Sequence, residues 1–262
     1  MNHISTITDE VASHIKFVLM DIDDTITTGG KLPAIAYDAI WRCHEAGLTV
    51  IPITGRPAGW CDLIARQWPV DGVVGENGAL VFWQEDGQVR RLYHPNAVKN
   101  DHEVLHRIAK RVLADVEQSR ISQDQFSRMF DLAIDFAEDE PKLPLSEAER
   151  IADICRSEGA IAKISSIHVN TWLGEYDKLS MTLDFLRVRY GYDDEVMRNA
   201  VMFFGDSPND EPMFSHFPVS VGVASVRRYA HLMHHLPAYV TSDAGGEGFA
   251  QGVAMLLEHR TA

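Results

Sequence analysis

Asp21 and Asp23 stand two residues apart, followed by Asp24 and Thr25, at the end of an apolar run, Phe17-Val18-Leu19-Met20. On a continuing strand, residues i and i+2 point to one side. Two carboxylates held that close repel each other unless a cation joins them. Mg²⁺ suits such a site because it is hard, takes oxygen ligands and works with phosphates. Burying either acid without a partner would cost several kcal/mol, so both belong where the strand emerges. In open α/β sheets that edge, at the carboxyl ends of the strands, is where ligands bind.

The same pattern, an apolar strand broken by a polar cluster, recurs twice. Leu48-Thr49-Val50-Ile51-Pro52-Ile53 ends in Thr54-Gly55-Arg56-Pro57, and Val201-Met202-Phe203-Phe204 ends in Gly205-Asp206-Ser207-Pro208-Asn209-Asp210. Each is followed by helix-forming sequence, and amide groups at a helix start favour phosphate. A fourth candidate, Lys178, opens the helix that runs through Leu179, Leu183, Leu186 and Tyr190. A cation is disfavoured at a helix N-terminus, so a lysine there makes sense facing an anion.

Four such features in this order resemble the haloacid dehalogenase (HAD) superfamily. Asp21-Ile22-Asp23-Asp24-Thr25 is similar to its motif Asp-x-Asp-x-Thr, with Asp24 where many members have glycine. Gly205-Asp206-Ser207-Pro208-Asn209-Asp210 is similar to Gly-Asp-x-x-Asn-Asp. The resemblance implies Asp21 as nucleophile, Asp23 as general acid/base, Thr54 as a phosphate-binding hydroxyl and Lys178 as the group that steadies nucleophile and phosphate. It implies Mg²⁺ held by Asp21, the carbonyl of Asp23 and Asp206, with Asp210 supporting the metal's water shell and Asn209 orienting its neighbours. The reaction implied is hydrolysis of a phosphate monoester through an aspartyl phosphate. Asp21 is then ionised, and Asp23 starts protonated, its pKa raised by its charged neighbour.

The fold that must position these residues is α/β: a Rossmann-like core with a parallel sheet, plus an inserted α+β cap. The core is expected over 1–93 and 173–262 and the cap over 94–172, between the second and third motifs, as in the Cof-like, type IIB branch. Residues 1–13 read as an arm or short turn, and Thr27–Lys31 as a flap. The pattern predicts helices over 33–46, 97–118, 146–157 (Ser146 and Glu149 forming a capping box) and 226–235. A hairpin joins 80–83 to 89–93. Asn77, in the turn Glu76-Asn77-Gly78-Ala79, is a candidate substrate contact. So are Gly55, Arg56, Lys178, Asn209, and His168 and Asn170 at the cap hinge.

Composition narrows the partners. The formal net charge is −14, which argues against nucleic acid or an anionic membrane. The cap carries more acids than bases, so it is expected to shape a polar pocket and not to trap phosphate by charge. Cys43, Cys61 and Cys155 form no CxxC pair and read as reduced, mostly buried thiols. No apolar run reaches membrane-spanning length, and a cytoplasmic monomer or homodimer acting on a small phosphate ester, a sugar phosphate by the resemblance, is expected. Ser242–Gly248 does not fit G-x-G-x-x-G, so no dinucleotide cofactor is expected.

His102-Glu103-Val104-Leu105-His106 is a literal H-E-x-x-H. It lacks a recognisable third zinc ligand and is read as a solvated helix face, and His231, His234 and His235 as structural. Two other functions share the strand-tip acids. A phosphomutase of the same superfamily would return phosphate to a product sugar. A phosphorylatable Asp switch module would keep a long-lived phospho-Asp21, but needs neither a cap nor Gly-Asp-x-x-Asn-Asp.

Overall fold

The computed structural model describes residues 1–260. Six parallel strands form the main sheet in the order Asn2–His3, Tyr239–Val240, Val219–Gly222, Val201–Gly205, Phe17–Met20, Thr49–Pro52. The central strand Phe17–Met20 is buried throughout, because both faces are covered. Val18 and Met20 join one hydrophobic cluster, with the helices Ala34–Glu45, Ala58–Gln67 and Gly245–Arg260. Phe17 and Leu19 join the other, with Lys178–Tyr190 and Glu211–His216. A strand buried on both faces needs a continuous apolar run, which is what the sequence has there. Each large side chain so buried contributes about 1.5–3 kcal/mol.

A parallel bridge from Ile53 to Val74 continues the sheet edge into a three-stranded antiparallel unit, Val73–Gly75, Leu80–Glu85 and Gln88–Tyr93. Between residues 103 and 172 a separate antiparallel sheet runs in the order Arg120–Ile121, Asp131–Asp135, His168–Trp172, Ile161–Ile164. The helices Glu103–Asp115 and Leu145–Ser157 pack on it around a core of their own.

Several local expectations fail for identifiable reasons. Residues 1–13 are not an arm: Asn2–His3 pairs with Tyr239–Val240, and Asp9–His14 is a helix capped by the Thr8 side chain. The helix expected from residue 97 starts at Glu103, because the His102 ring accepts the amide of Val104 at 3.2 Å and caps it. His102 is therefore the capping residue and lies just outside the helix that carries His106. Ser146 forms no capping box, since the helix already begins at Leu145 after Pro144. Residues 226–235 are two short 3₁₀ turns, Ala224–Arg228 and Ala230–Leu232. There the amides of His234 and His235 donate to Glu211 Oε1 at 2.6 and 2.9 Å, which replaces the carbonyls a helix would offer. Cys43, Cys61 and Cys155 are free and buried. Among the described residues no helix is long and apolar enough to cross a membrane.

Candidate active site

The three polar clusters meet because their strands are neighbours in one parallel sheet. Phe17–Met20 lies between Val201–Gly205 and Thr49–Pro52, in register from Phe17 opposite Val201 and Thr49. All three end at the same edge. The amide of Asp21 still donates to Phe204 O at 2.9 Å, so the first acid is fixed by the last rung of the sheet.

Lys178 reaches this edge from a well-fixed helix start. Asp177 caps it, accepting the Ser180 amide at 2.8 Å, while Ser180 Oγ accepts the Asp177 amide at 3.0 Å. The turn with Asn77 lies against that start. A side chain at Gly78, whose φ is +104°, would overlap the Asp177 carbonyl, so glycine permits the approach. Lys178 is fully buried, and its Nζ donates to Asp21 Oδ1 at 2.6 Å and to Asp210 Oδ1 at 2.7 Å. Burial disfavours its charge, but the two carboxylates outweigh that and raise its pKa.

Asp210 is used on both sides. Its Oδ2 accepts the amides of Asp206 at 3.0 Å and Ser207 at 3.3 Å. A side chain at Gly205 would sit 2.6 Å from that oxygen, which explains the glycine before Asp206. Asp206 itself is 0 % exposed, and neither of its carboxylate oxygens has a hydrogen-bond partner. One ligand oxygen each from Asp21, Asp206 and Asp210 lies within 4.8 Å of the others. Burial, then Asp21 and Asp210, push the Asp206 carboxyl far up in pKa. An unpartnered buried carboxylate is costly unless a proton or a cation answers it. An all-oxygen set of this kind fits Mg²⁺.

Burial also pushes Asp21 up to about 7; Lys178 opposes this, and Asp210 and Asp23 add to it. Asp23 meets a neighbour the sequence did not suggest. Arg56 donates to it from Nε at 2.8 Å and from its terminal nitrogen at 2.7 Å. The nearest charged partner of Asp23 is a guanidinium. Arg56 also pairs with Glu138 at 2.7 Å and Asp124 at 3.3 Å, and stacks on Trp60 with its centre 4.4 Å from the ring. Arg56 is thus a structural tie between three carboxylates, and any substrate contact it makes is shared with them.

Thr54 is buried, and its Oγ accepts the Arg56 amide at 3.0 Å, leaving the hydroxyl proton free to donate. The helix start after it is not an open anion site, because Glu76 Oε1 accepts the Ala58 amide at 2.9 Å. Around Gly55 the side-chain amides converge. A Cβ there would lie 3.1 Å from Asn170 Nδ2 and 3.2 Å from Asn77 Nδ2. Asn209 Nδ2 donates to Asn77 Oδ1 at 3.4 Å, Ser207 Oγ donates to Asn209 Oδ1 at 2.8 Å, and Asn170 Oδ1 is buried without a partner. His168 is held by Glu138, Nε2 to Oε2 at 2.8 Å, so it joins the site through the Glu138–Arg56–Asp23 chain.

The residues missed in the sequence are Glu76, Asp124, Arg128, Asp131 and Glu138. Arg128, wholly buried, donates to Gly55 O at 2.8 Å and to both oxygens of Asp131 at 3.0 Å. Glu76 accepts the amides of Met129 and Phe130 at 2.9 and 2.7 Å. The signal was present: Asp131 and Asp135 alternate inside a strand whose five residues are all buried, and buried charges on a strand demand partners.

Residues 18–121 match a family model described as haloacid dehalogenase-like hydrolase. No curated protein matches the sequence. Among solved structures, a putative HAD/COF-like hydrolase from Plasmodium vivax superposes with a TM-score of 0.70 at 19% identity, covering 96% of this chain and 99% of that one. The C-terminal domain of C. albicans trehalose-6-phosphate phosphatase gives 0.67 at 14%, covering 95% of each. The HAD subclass IIB sugar phosphatase BT4131 gives 0.63 at 14%, covering 92% and 98%. At these identities the structural likeness speaks for the fold.

Proposed function

We propose that this chain, whose residues 18–121 match a haloacid dehalogenase-like hydrolase model, is a Mg²⁺-dependent phosphatase acting on small phosphate monoesters such as sugar phosphates. The observation that carries this reading is the pairing at the sheet edge. Asp21 Oδ1 is fixed by Lys178 beside Asp206, whose two buried carboxylate oxygens have no hydrogen-bond partner among the described residues. Residues 94–172 act as the cap over that edge.

Asp21 attacks phosphorus opposite the leaving oxygen; a bond forms from its carboxylate to phosphorus as the ester P–O bond breaks. Asp23 gives a proton to the departing alcohol, then takes one from the water that hydrolyses the aspartyl phosphate. Lys178, with its raised pKa, stays cationic throughout and offsets charge on Asp21 and the phosphoryl oxygens. The free Thr54 proton and the amides of Asn77 and Asn170 give donors to those oxygens. Arg56 fixes the direction in which the Asp23 carboxylate points. Asp21, the carbonyl of Asp23 and Asp206 would hold Mg²⁺, with Asp210 behind them; when bound it supplies positive charge that keeps Asp21 ionised and stabilises the transferring group.

The test is phosphate release from a panel of sugar phosphates and related esters, with and without Mg²⁺, beside Asp21→Asn. Mg²⁺-dependent release that disappears in the variant is expected. A folded protein that releases phosphate from no ester, or an Asp21→Asn variant as active as the wild type, overturns the reading.

A further inference from the structure

The loop that carries Thr54 has its carbonyls held one after another. Thr54 O accepts the Asn77 amide and Arg56 O accepts the Glu76 amide, both at 3.1 Å, so the core's own turn holds the two outer ones. Between them, Gly55 O takes its donor from the 103–172 unit: Arg128 Nη1, at 2.8 Å. The carbonyl of Gly55 and the N–H of Arg56 belong to one planar peptide group, so fixing the first fixes the direction of the second. That N–H donates to Thr54 Oγ at 3.0 Å. The lone pair it takes sets where the Thr54 proton can point.

The Arg128 guanidinium is tightly held. Its side chain is 0 % exposed. Nε and Nη2 fork onto Asp124 at 2.9 and 3.1 Å, and Nη1 also reaches both oxygens of Asp131 at 3.0 Å. The backbone of residue 128 is anchored separately. Arg128 O accepts from Asn100 Nδ2 at 2.8 Å, and the next two amides, of Met129 and Phe130, donate to Glu76 at 2.9 and 2.7 Å. A side-chain change at 128 is therefore expected to leave the segment seated on the core.

We propose that Arg128 is a positioning residue for phosphate: through the Gly55–Arg56 peptide it aims the Thr54 hydroxyl at the phosphoryl oxygens. The role rests on the phosphatase reading for what Thr54 donates to. The link from Arg128 to Thr54 can be tested apart from turnover. An arginine that merely packed the 103–172 unit onto the core would cost the same when removed, with or without the Thr54 hydroxyl.

The first measurement is a double-mutant cycle in kcat on the best ester, with Arg128→Lys, Thr54→Val and both together. Lysine keeps the charge but cannot hold Asp124, Asp131 and Gly55 O at once. Arg128→Lys is expected to lower kcat about tenfold when Thr54 is present and less than about twofold in Thr54→Val. Equal losses in the two backgrounds, or no loss with Thr54 present, overturn the proposal.

The second measurement needs no turnover. The pair Gly-Arg occurs once in the chain, at 55–56. Carbonyl-¹³C glycine with ¹⁵N arginine therefore gives a single HNCO signal in NMR, from this peptide group. Inorganic phosphate with Mg²⁺ is expected to move that signal in the full-length wild type, and to move it far less in Thr54→Val and in Arg128→Lys. A wild-type signal that phosphate does not move, or an equal response in Arg128→Lys, overturns the proposal. Should Arg128→Lys not fold, Arg128→Gln with Asp131→Asn, which removes the buried pair together, takes its place. If no ester is hydrolysed while the signal follows phosphate and depends on Arg128 and Thr54, the phosphatase reading fails and the positioning role does not.

Discussion

Arg56 and Asp23 form a two-point ion pair, Nε to Oδ2 at 2.8 Å and a terminal nitrogen to Oδ1 at 2.7 Å, with Arg56 almost wholly buried. The same guanidinium is held by Glu138 and Asp124, which belong to the 103–172 unit. The proposed acid/base is therefore oriented by a residue that also ties down the unit packed over it. Arg56→Lys should lower kcat about 10- to 100-fold with a smaller change in KM, because lysine keeps a charge but cannot make the paired geometry. Steady-state kinetics on the best ester decide it. An unchanged kcat would mean that Arg56 does not position Asp23 for the reaction.

Asp206 predicts a conflict between stability and activity. Its carboxylate is buried without a partner, so Asp206→Asn should raise stability in a chelator by about 1–3 kcal/mol. The same change should abolish Mg²⁺-dependent phosphate release. Urea denaturation in EDTA and a release assay, run on the same preparation, check both halves. A variant less stable than the wild type in EDTA would show that the site is satisfied without a cation.

Lys178 has the opposite character. Removing its charge in Lys178→Met leaves Asp21 and Asp210 facing each other in a buried site, which should destabilise the protein by about 3–5 kcal/mol. Thermal or urea unfolding reads this directly, and a loss below about 1 kcal/mol would mean that the two carboxylates find other partners.

Glu138 gives a pH dependence with a definite sign. Burial raises its pKa, but His168 and Arg56 outweigh burial and bring it from 4.5 down to about 2. A depressed folded-state pKa contributes stability above the unfolded value, and that contribution is lost as pH falls from about 4.5 to about 2. The carboxylate is partly exposed, so its contribution should be about 1 kcal/mol at neutral pH. The stability difference between wild type and Glu138→Gln should therefore be largest above pH 5 and vanish near pH 2, as read by urea unfolding across that range. A difference that grows on acidification would contradict the assignment.

The sheet and the site's acids were legible because they are written locally. Four apolar residues followed by charge, at 17–21 and again at 201–206, require a buried strand that ends at the surface, whatever surrounds it. The same is true of Lys178 behind the capping residue Asp177. The 226–235 segment shows where local pattern loses. Its side chains suit a helix, but Glu211, more than twenty residues away, takes two of its amides.

By itself the sequence determined that three strands would carry Asp21 and Asp23, Thr54, and Asp206 and Asp210 on their tips, because burial and periodicity act on neighbours along the chain. Only the tertiary structure decided which charges answer which. Arg56 reaches Asp23 across 33 residues, Lys178 reaches Asp21 across 157, and the Asp206 carboxylate is left with no hydrogen-bond partner among the described residues. Ion pairs between distant residues depend on where the strands and loops finally lie, on a scale of a few ångströms, and no spacing in the sequence encodes that distance.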